Sequence, residues 1–128
     1  MSHTVSMKLK INDLATLAKA AESIGLEFRK DQRSFKAYTT DVCDHALRVK
    51  GNKKAYEIGV RANRNGTYDL LFDSFLNGEG LMSVIGANGS KLMQAYQQQM
   101  ALAHIPFGYE ALPVQYEGED MLLDFVKY

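Results

Sequence analysis

The chain has 128 residues, 46% hydrophobic and 23% charged, which fits one folded α+β-sized domain and excludes an intrinsically disordered chain. Lysine plus arginine equals aspartate plus glutamate at 15 each, so the long-range field of a dedicated nucleic-acid binder is missing and nucleic acid is not an expected partner. The single cysteine, Cys43, excludes an internal disulfide. With no signal-peptide pattern and no apolar run near 18 residues, the expectation is a cytoplasmic protein without a membrane span.

Thr4 to Ile11 alternates apolar and polar residues, the pattern of a half-buried strand. Asn12 or Asp13 then caps a helix with an apolar stripe of Leu14, Leu17, Ala18, Ala21 and Ile24, and Gly25 stops it. Leu26 to Phe28 restarts as a strand, and Phe35, Ala37 and Tyr38 suggest another short one. Asp41 to Lys50 alternates throughout and predicts one continuous strand. Gly51-Asn52 turns the chain into a strand over Ala55 to Ala62. Asn65-Gly66 predicts a type I′ hairpin turn, with positive φ at both residues, and Thr67 to Phe72 returns.

Asp73 to Gly89 holds four glycines and little periodicity, with room for one helical turn at Leu81 to Ile85. Lys91 to Ala103 lacks glycine, proline and β-branched residues. It predicts a second helix with Leu92, Met93, Tyr96, Met100 and Ala103 on its apolar face and Ser90 as N-cap. Pro106 and Gly108 end it. Tyr109 to Tyr116 and Met121 to Tyr128 predict a last hairpin, and Leu122, Leu123, Phe125 and Val126 make its final strand apolar on both faces, fitting a central strand or an interface. The order β-α-β-β-β-β-α-β-β predicts a single α+β domain over 1–128. It would be one antiparallel sheet of five to seven strands with two helices on one face.

Met1-Ser2-His3, Ile11, Asp13, Leu17 and Ile24-Gly25 resemble the opening of a family of small uncharacterised proteins encoded in cyanobacterial and plastid genomes, as a conserved chloroplast reading frame, and in some phages. The hairpin Tyr56-Glu57-Ile58-Gly59 to Asn65-Gly66-Thr67-Tyr68-Asp69-Leu70 and the pattern Leu92-x-Gln94-x-Tyr96 are similar to that family as well, so the resemblance spans nearly the whole chain. The chain departs from it at the tryptophans the family often has after the central hairpin; it has none. The resemblance implies this fold and a bacterial, plastid or phage source, and it supplies no catalytic residue.

Asp41, Cys43 and His45 would share one face of a continuous strand and are zinc-compatible donors. That face continues into Leu47 and Val49, so a buried cysteine and a hydrogen-bonded histidine are the expected outcome, ahead of a metal site or a Cys–His hydrolase. His104 sits where a helix C-terminal dipole favours it, and His3 lies in the terminus. Asp69, Asp73 and Glu79 flank the long loop without a spacing that suggests acid–base work. Lys50, Lys53, Lys54, Arg61 and Arg64 cluster in sequence and read as solvated hairpin edges.

Gly86, Asn88, Gly89, Ser90 and Lys91 open a helix with exposed N–H groups and one cation, which suits a phosphate or carboxylate, with Arg61 or Arg64 reaching in. The spacing is not that of a Walker A loop. The leading expectation is therefore a non-enzymatic binding or interaction module of a phage or bacterium that forms a homo-oligomer. The alternative is capture of a small phosphorylated ligand, such as a nucleotide, at the second helix. No catalytic residue, metal or cofactor is expected.

Overall fold

The structure, a computed structural model, describes residues 4–6, 11–103, 109–111, 115–117, 120–122 and 125–127, with side chains over 11–103. Asp13 begins the helical layer. Its Oδ1 accepts from the Ala15 and Thr16 N–H groups at 3.0 and 3.2 Å, capping α1 (Leu14–Ser23). Gly25, at φ +93°, ends the helix by donating its N–H to Glu22.

Strands β1 (Thr4–Ser6), β2 (Leu26–Arg29), β5 (His45–Val49), β6 (Ile58–Ala62) and β7 (Tyr68–Asp73) form one antiparallel sheet in the order β1-β7-β6-β5-β2. β1 and β2 are its two edges, so the connection through α1 spans its full width. β3 (Ser34–Phe35) and β4 (Asp41–Val42) pair with each other as a separate arm. α2 (Leu81–Ile85) and α3 (Ser90–Ala103) complete the helical layer.

Alternation along the strands divides the apolar residues between two faces. Leu26, Leu47, Ile58, Val60, Leu70 and Phe72 pack with Leu17, Ala20, Ala21, Leu81, Ile85, Leu92 and Tyr96 of the helices. On the opposite face the arm lays Phe35 and Cys43 over Ala46, with Leu71 against them. Tyr96 ties α3 to the start of α1, its hydroxyl accepting from the Asn12 N–H at 3.2 Å.

The α+β class, the antiparallel sheet and the helices on one face agree with the sequence reading; several details differ. The alternation over Asp41 to Lys50 is not one strand. Asp44 breaks it, donating its N–H to Val60 and accepting with its carboxylate from the Ala62 N–H at 2.7 Å and from Arg33 Nη1 at 3.2 Å. Among the described residues there are three α-helices where two were expected, because the helical turn at Leu81 to Ile85 forms a helix of its own. The Asn65-Gly66 turn is not type I′, since positive φ occurs at Gly66, at +84°, and not at Asn65. Gly66 N–H donates to Asn63, and Asn63 N–H to Thr67, which lengthens the loop by one residue. Ser90 is not an N-cap. It already has helical dihedrals, φ −60° and ψ −38°, and Gly89 at φ +76° is the last non-helical residue.

The C-terminal hairpin forms as β8 (Tyr109–Ala111) with β11 (Phe125–Lys127) and β9 (Gln115–Glu117) with β10 (Asp120–Leu122). Among the described residues these strands pair only with one another, so the last strand is not central in the main sheet. Residues 7–10 of the expected first strand, and His3, His104, Pro106 and Gly108, lie outside the described residues.

Between β7 and α2 the chain makes a left-handed turn. Leu76, Asn77, Gly78 and Glu79 have φ of +51, +55, +63 and +54°. Three of these are not glycine, and the left-handed form costs Leu76 and Glu79 about 1–2 kcal/mol each. The anchors that hold it are Asp73, 2% exposed, whose carboxylate accepts from the Tyr38 and Phe75 N–H groups at 2.9 Å each, and the Gly78 carbonyl, which accepts from Tyr56 N–H at 2.8 Å.

Candidate functional site

On the face of the sheet away from the helices, a hollow of about 480 Å³ lies between the β3 arm and the loop after β5. Lys36, Arg48, Asn52, Lys53 and Glu57 are its polar lining, with Val49, Gly51 and Ala55.

Each cation is positioned by a different element. Arg48 lies on β5 between Leu47, which points into the helical core, and Val49, so alternation turns it to the open face. Its Nε donates to Glu27 Oε2 at 2.9 Å across the β2–β5 pair, and its Nη groups have no partner among the described residues. Glu27 also accepts from Arg29 Nη1 at 3.1 Å. The Arg29 bond first, and then the Arg48 bond, hold the Glu27 carboxyl below the usual glutamate range.

Lys36 follows β3 and reaches across the hollow. Its Nζ donates to the Lys53 and Lys54 carbonyls at 3.3 and 3.2 Å, which leaves one of its N–H groups unengaged. The Lys53 side chain is exposed on the loop and has no hydrogen bond or ion pair among the described residues, although its carbonyl accepts from Lys36. Glu57 faces the arm, where one oxygen accepts from the Lys36 N–H at 2.9 Å and from Gln32 Nε2 at 3.1 Å.

The loop holding Lys53 is itself fixed. Gly51 turns it at φ +75°, and Asn52 Oδ1 accepts from the Lys54 and Ala55 N–H groups at 3.1 and 3.2 Å. Asn52 Nδ2 donates to the Glu79 carbonyl at 3.4 Å, joining the rim of the hollow to the left-handed turn.

The segment expected to hold an anion is placed differently. Gly89 N–H donates to the Gly86 carbonyl at 3.0 Å, and Ser90 N–H donates to Ala87. Gly86 lies directly against the start of α3, so a Cβ there would stand 2.7 Å from Ser90 Oγ and 2.9 Å from Lys91 N. Asn88, Ser90 and Lys91 are exposed. Arg61 Nη2 donates to the Val42 carbonyl at 3.0 Å, on the β4 side of the sheet, and Arg64 lies in the hairpin turn. No hydrogen bond or ion pair among the described residues joins either arginine to the 86–91 segment.

Cys43 and His45 do not share a face. Cys43 packs with Phe35 and Ala46, donates Sγ–H to Gln32 at 3.1 Å, and has its thiol pushed up first by burial. His45 lies beside Phe28, their ring centroids 5.6 Å apart, and its Nδ1 accepts from the Asp31 N–H at 2.9 Å. Among the described residues no three histidine, cysteine, aspartate or glutamate side chains are grouped to hold a metal. No described helix is long and apolar enough to cross a membrane.

Nothing in the sequence marks Lys36 or Arg48 as site residues. They are 12 positions apart, on different elements, and only the fold of the arm back over the sheet brings them together. Lys53 stood in the basic cluster, where the Gly51-Asn52 turn beside it was the one local signal. No family model, curated protein or solved structure matches the chain.

Proposed function

We propose that this protein is a binding module without chemistry of its own, and that it takes a small anionic ligand in the hollow lined by Lys36, Arg48 and Lys53. The observation that supports this is an excess of directed cationic donors on a concave surface. Arg48 is held by Nε and presents its Nη edge, and Lys36 is fixed by two carbonyls. Anion recognition here replaces the helix N-terminus as the favoured location, because the Gly89 and Ser90 amides already donate within their own turn.

Calorimetric titration with phosphate, sulfate, acetate and citrate at low ionic strength tests the reading. At least one anion should bind. Lys53→Gln should weaken it about ten- to a hundredfold, the range of one charge-assisted hydrogen bond. Binding of none, or binding indifferent to Lys53→Gln and Arg48→Gln alike, removes the proposal.

Self-association through the C-terminal hairpin is a second part of the proposal. It is favoured by strands that pair only with one another among the described residues and by the apolar sequence of Leu122, Leu123, Phe125 and Val126. Light scattering should give at least a dimer, and a monomer at high protein concentration would remove it.

A further inference from the structure

Resting on that reading of the hollow, we infer that its ligand is a small phosphate monoester, bound as the dianion in preference to a monoanion of the same shape. Two independent features of the lining point to it. The first is charge: Lys36, Arg48 and Lys53 against Glu57 leave the lining with a net of two positive charges, three minus one. A phosphate monoester near neutral pH has up to two negative charges, while a carboxylate or a sulfate ester has one.

The second is the number and rigidity of donors. The Arg48 Nη pair takes two oxygens side by side, the arrangement that a guanidinium makes with a carboxylate or phosphate. Lys36 Nζ, with two of its hydrogens directed to the Lys53 and Lys54 carbonyls, has one left to give. Three directed donors match the three terminal oxygens of a phosphate monoester, whereas a carboxylate supplies two. The Lys53 ammonium, unpartnered among the described residues, closes over the anion as a charge. A volume of about 480 Å³ leaves space beside the phosphate for an organic group of modest size.

The groups facing a bound phosphate are Lys36, Arg48, Lys53 and Glu57, with Glu27 behind Arg48; no histidine lines the hollow. The experiment is a calorimetric titration of the full chain with phenyl phosphate and with phenyl sulfate, from pH 5 to pH 8. The two probes share a shape, and only the phosphate gains a second charge across this range, at about pH 6. Any change in the protein's own groups affects both.

Phenyl phosphate should bind about tenfold tighter than phenyl sulfate at pH 8, the effect of one further charged contact, and the ratio should shrink toward unity at pH 5. Lys53→Gln lowers the net lining charge to one and should narrow the ratio at pH 8. That exposed side chain has no bond to lose, so the variant folds as the parent does. Equal affinities at every pH overturn the dianion preference and leave a general anion site. Absence of binding by both probes overturns the dianion preference and counts against the hollow as an anion site.

Discussion

The ring of Phe35 lies flat against the Cα of Gly59, so close that a methyl group at position 59 would stand 2.4 Å from both Cδ1 and Cε1. This contact seats the β3 arm on the sheet. It brings Lys36, the next residue, over the face where Arg48 projects. Gly59→Ala should destabilise the fold by about 1–3 kcal/mol, since the ring is buried and has little room to move. Urea denaturation measures it. Phe35→Leu in the Gly59→Ala background should recover part of the loss. An additive double mutant would mean that the ring does not rest on Gly59.

Asp73 secures the left-handed turn. Its carboxylate is the acceptor for both Tyr38 N–H and Phe75 N–H, and it is almost fully buried. Asp73→Ala removes the acceptor from two amides. At about 1.5–3 kcal/mol for each bond to a charged group, the loss should reach roughly 3 kcal/mol. Asp73→Asn keeps one oxygen and should fall between. Amide exchange at Tyr38 and Phe75 should accelerate in parallel with the loss. A stability change below about 0.5 kcal/mol would show that the turn stands without this anchor.

Acid should weaken the β2–β5 pairing. The Glu27 carboxyl is held low by the Arg29 and Arg48 bonds, so protons bind more tightly to the unfolded chain. The stabilisation is therefore complete above the ordinary glutamate value, about pH 4.3, and is lost as pH falls through the lower folded value. Asp13, held low chiefly by the Thr16 N–H, acts in the same direction. Glu27→Gln should flatten the acid limb of a stability-against-pH curve. The difference should shrink in high salt, because the pair is partly exposed. A Glu27→Gln curve parallel to that of the parent would contradict this.

What was legible in the sequence was local. The Asp13 cap, the α1 stripe and the Gly25 stop follow from side chains acting within one turn of themselves. Asp44 shows where that ends. Its neighbours alternate as a strand does, yet its carboxylate is engaged by Ala62, 18 positions away, and the strand divides there. The face of Cys43 departs from the alternation for the same reason. A break in the strand resets the alternation, so Cys43 faces the arm and His45 faces Phe28. The hollow was illegible because its cations are brought together by the Phe35–Gly59 contact, and nothing near Lys36 or Arg48 in sequence marks either. The left-handed turn was equally hidden: Leu76 and Glu79 on either side of Asn77 and Gly78 have no preference for positive φ, and the turn is held by Asp73, Tyr56 and Asn52.

The central claim is the location of the anion site, and amide chemical-shift mapping during a titration with inorganic phosphate tests it most directly. The account predicts saturable shifts at Gly51 to Ala55, Lys36 and Arg48, and their loss in Lys53→Gln. Shifts concentrated at Gly86 to Lys91, or none at the hollow when phosphate is saturating, would contradict it.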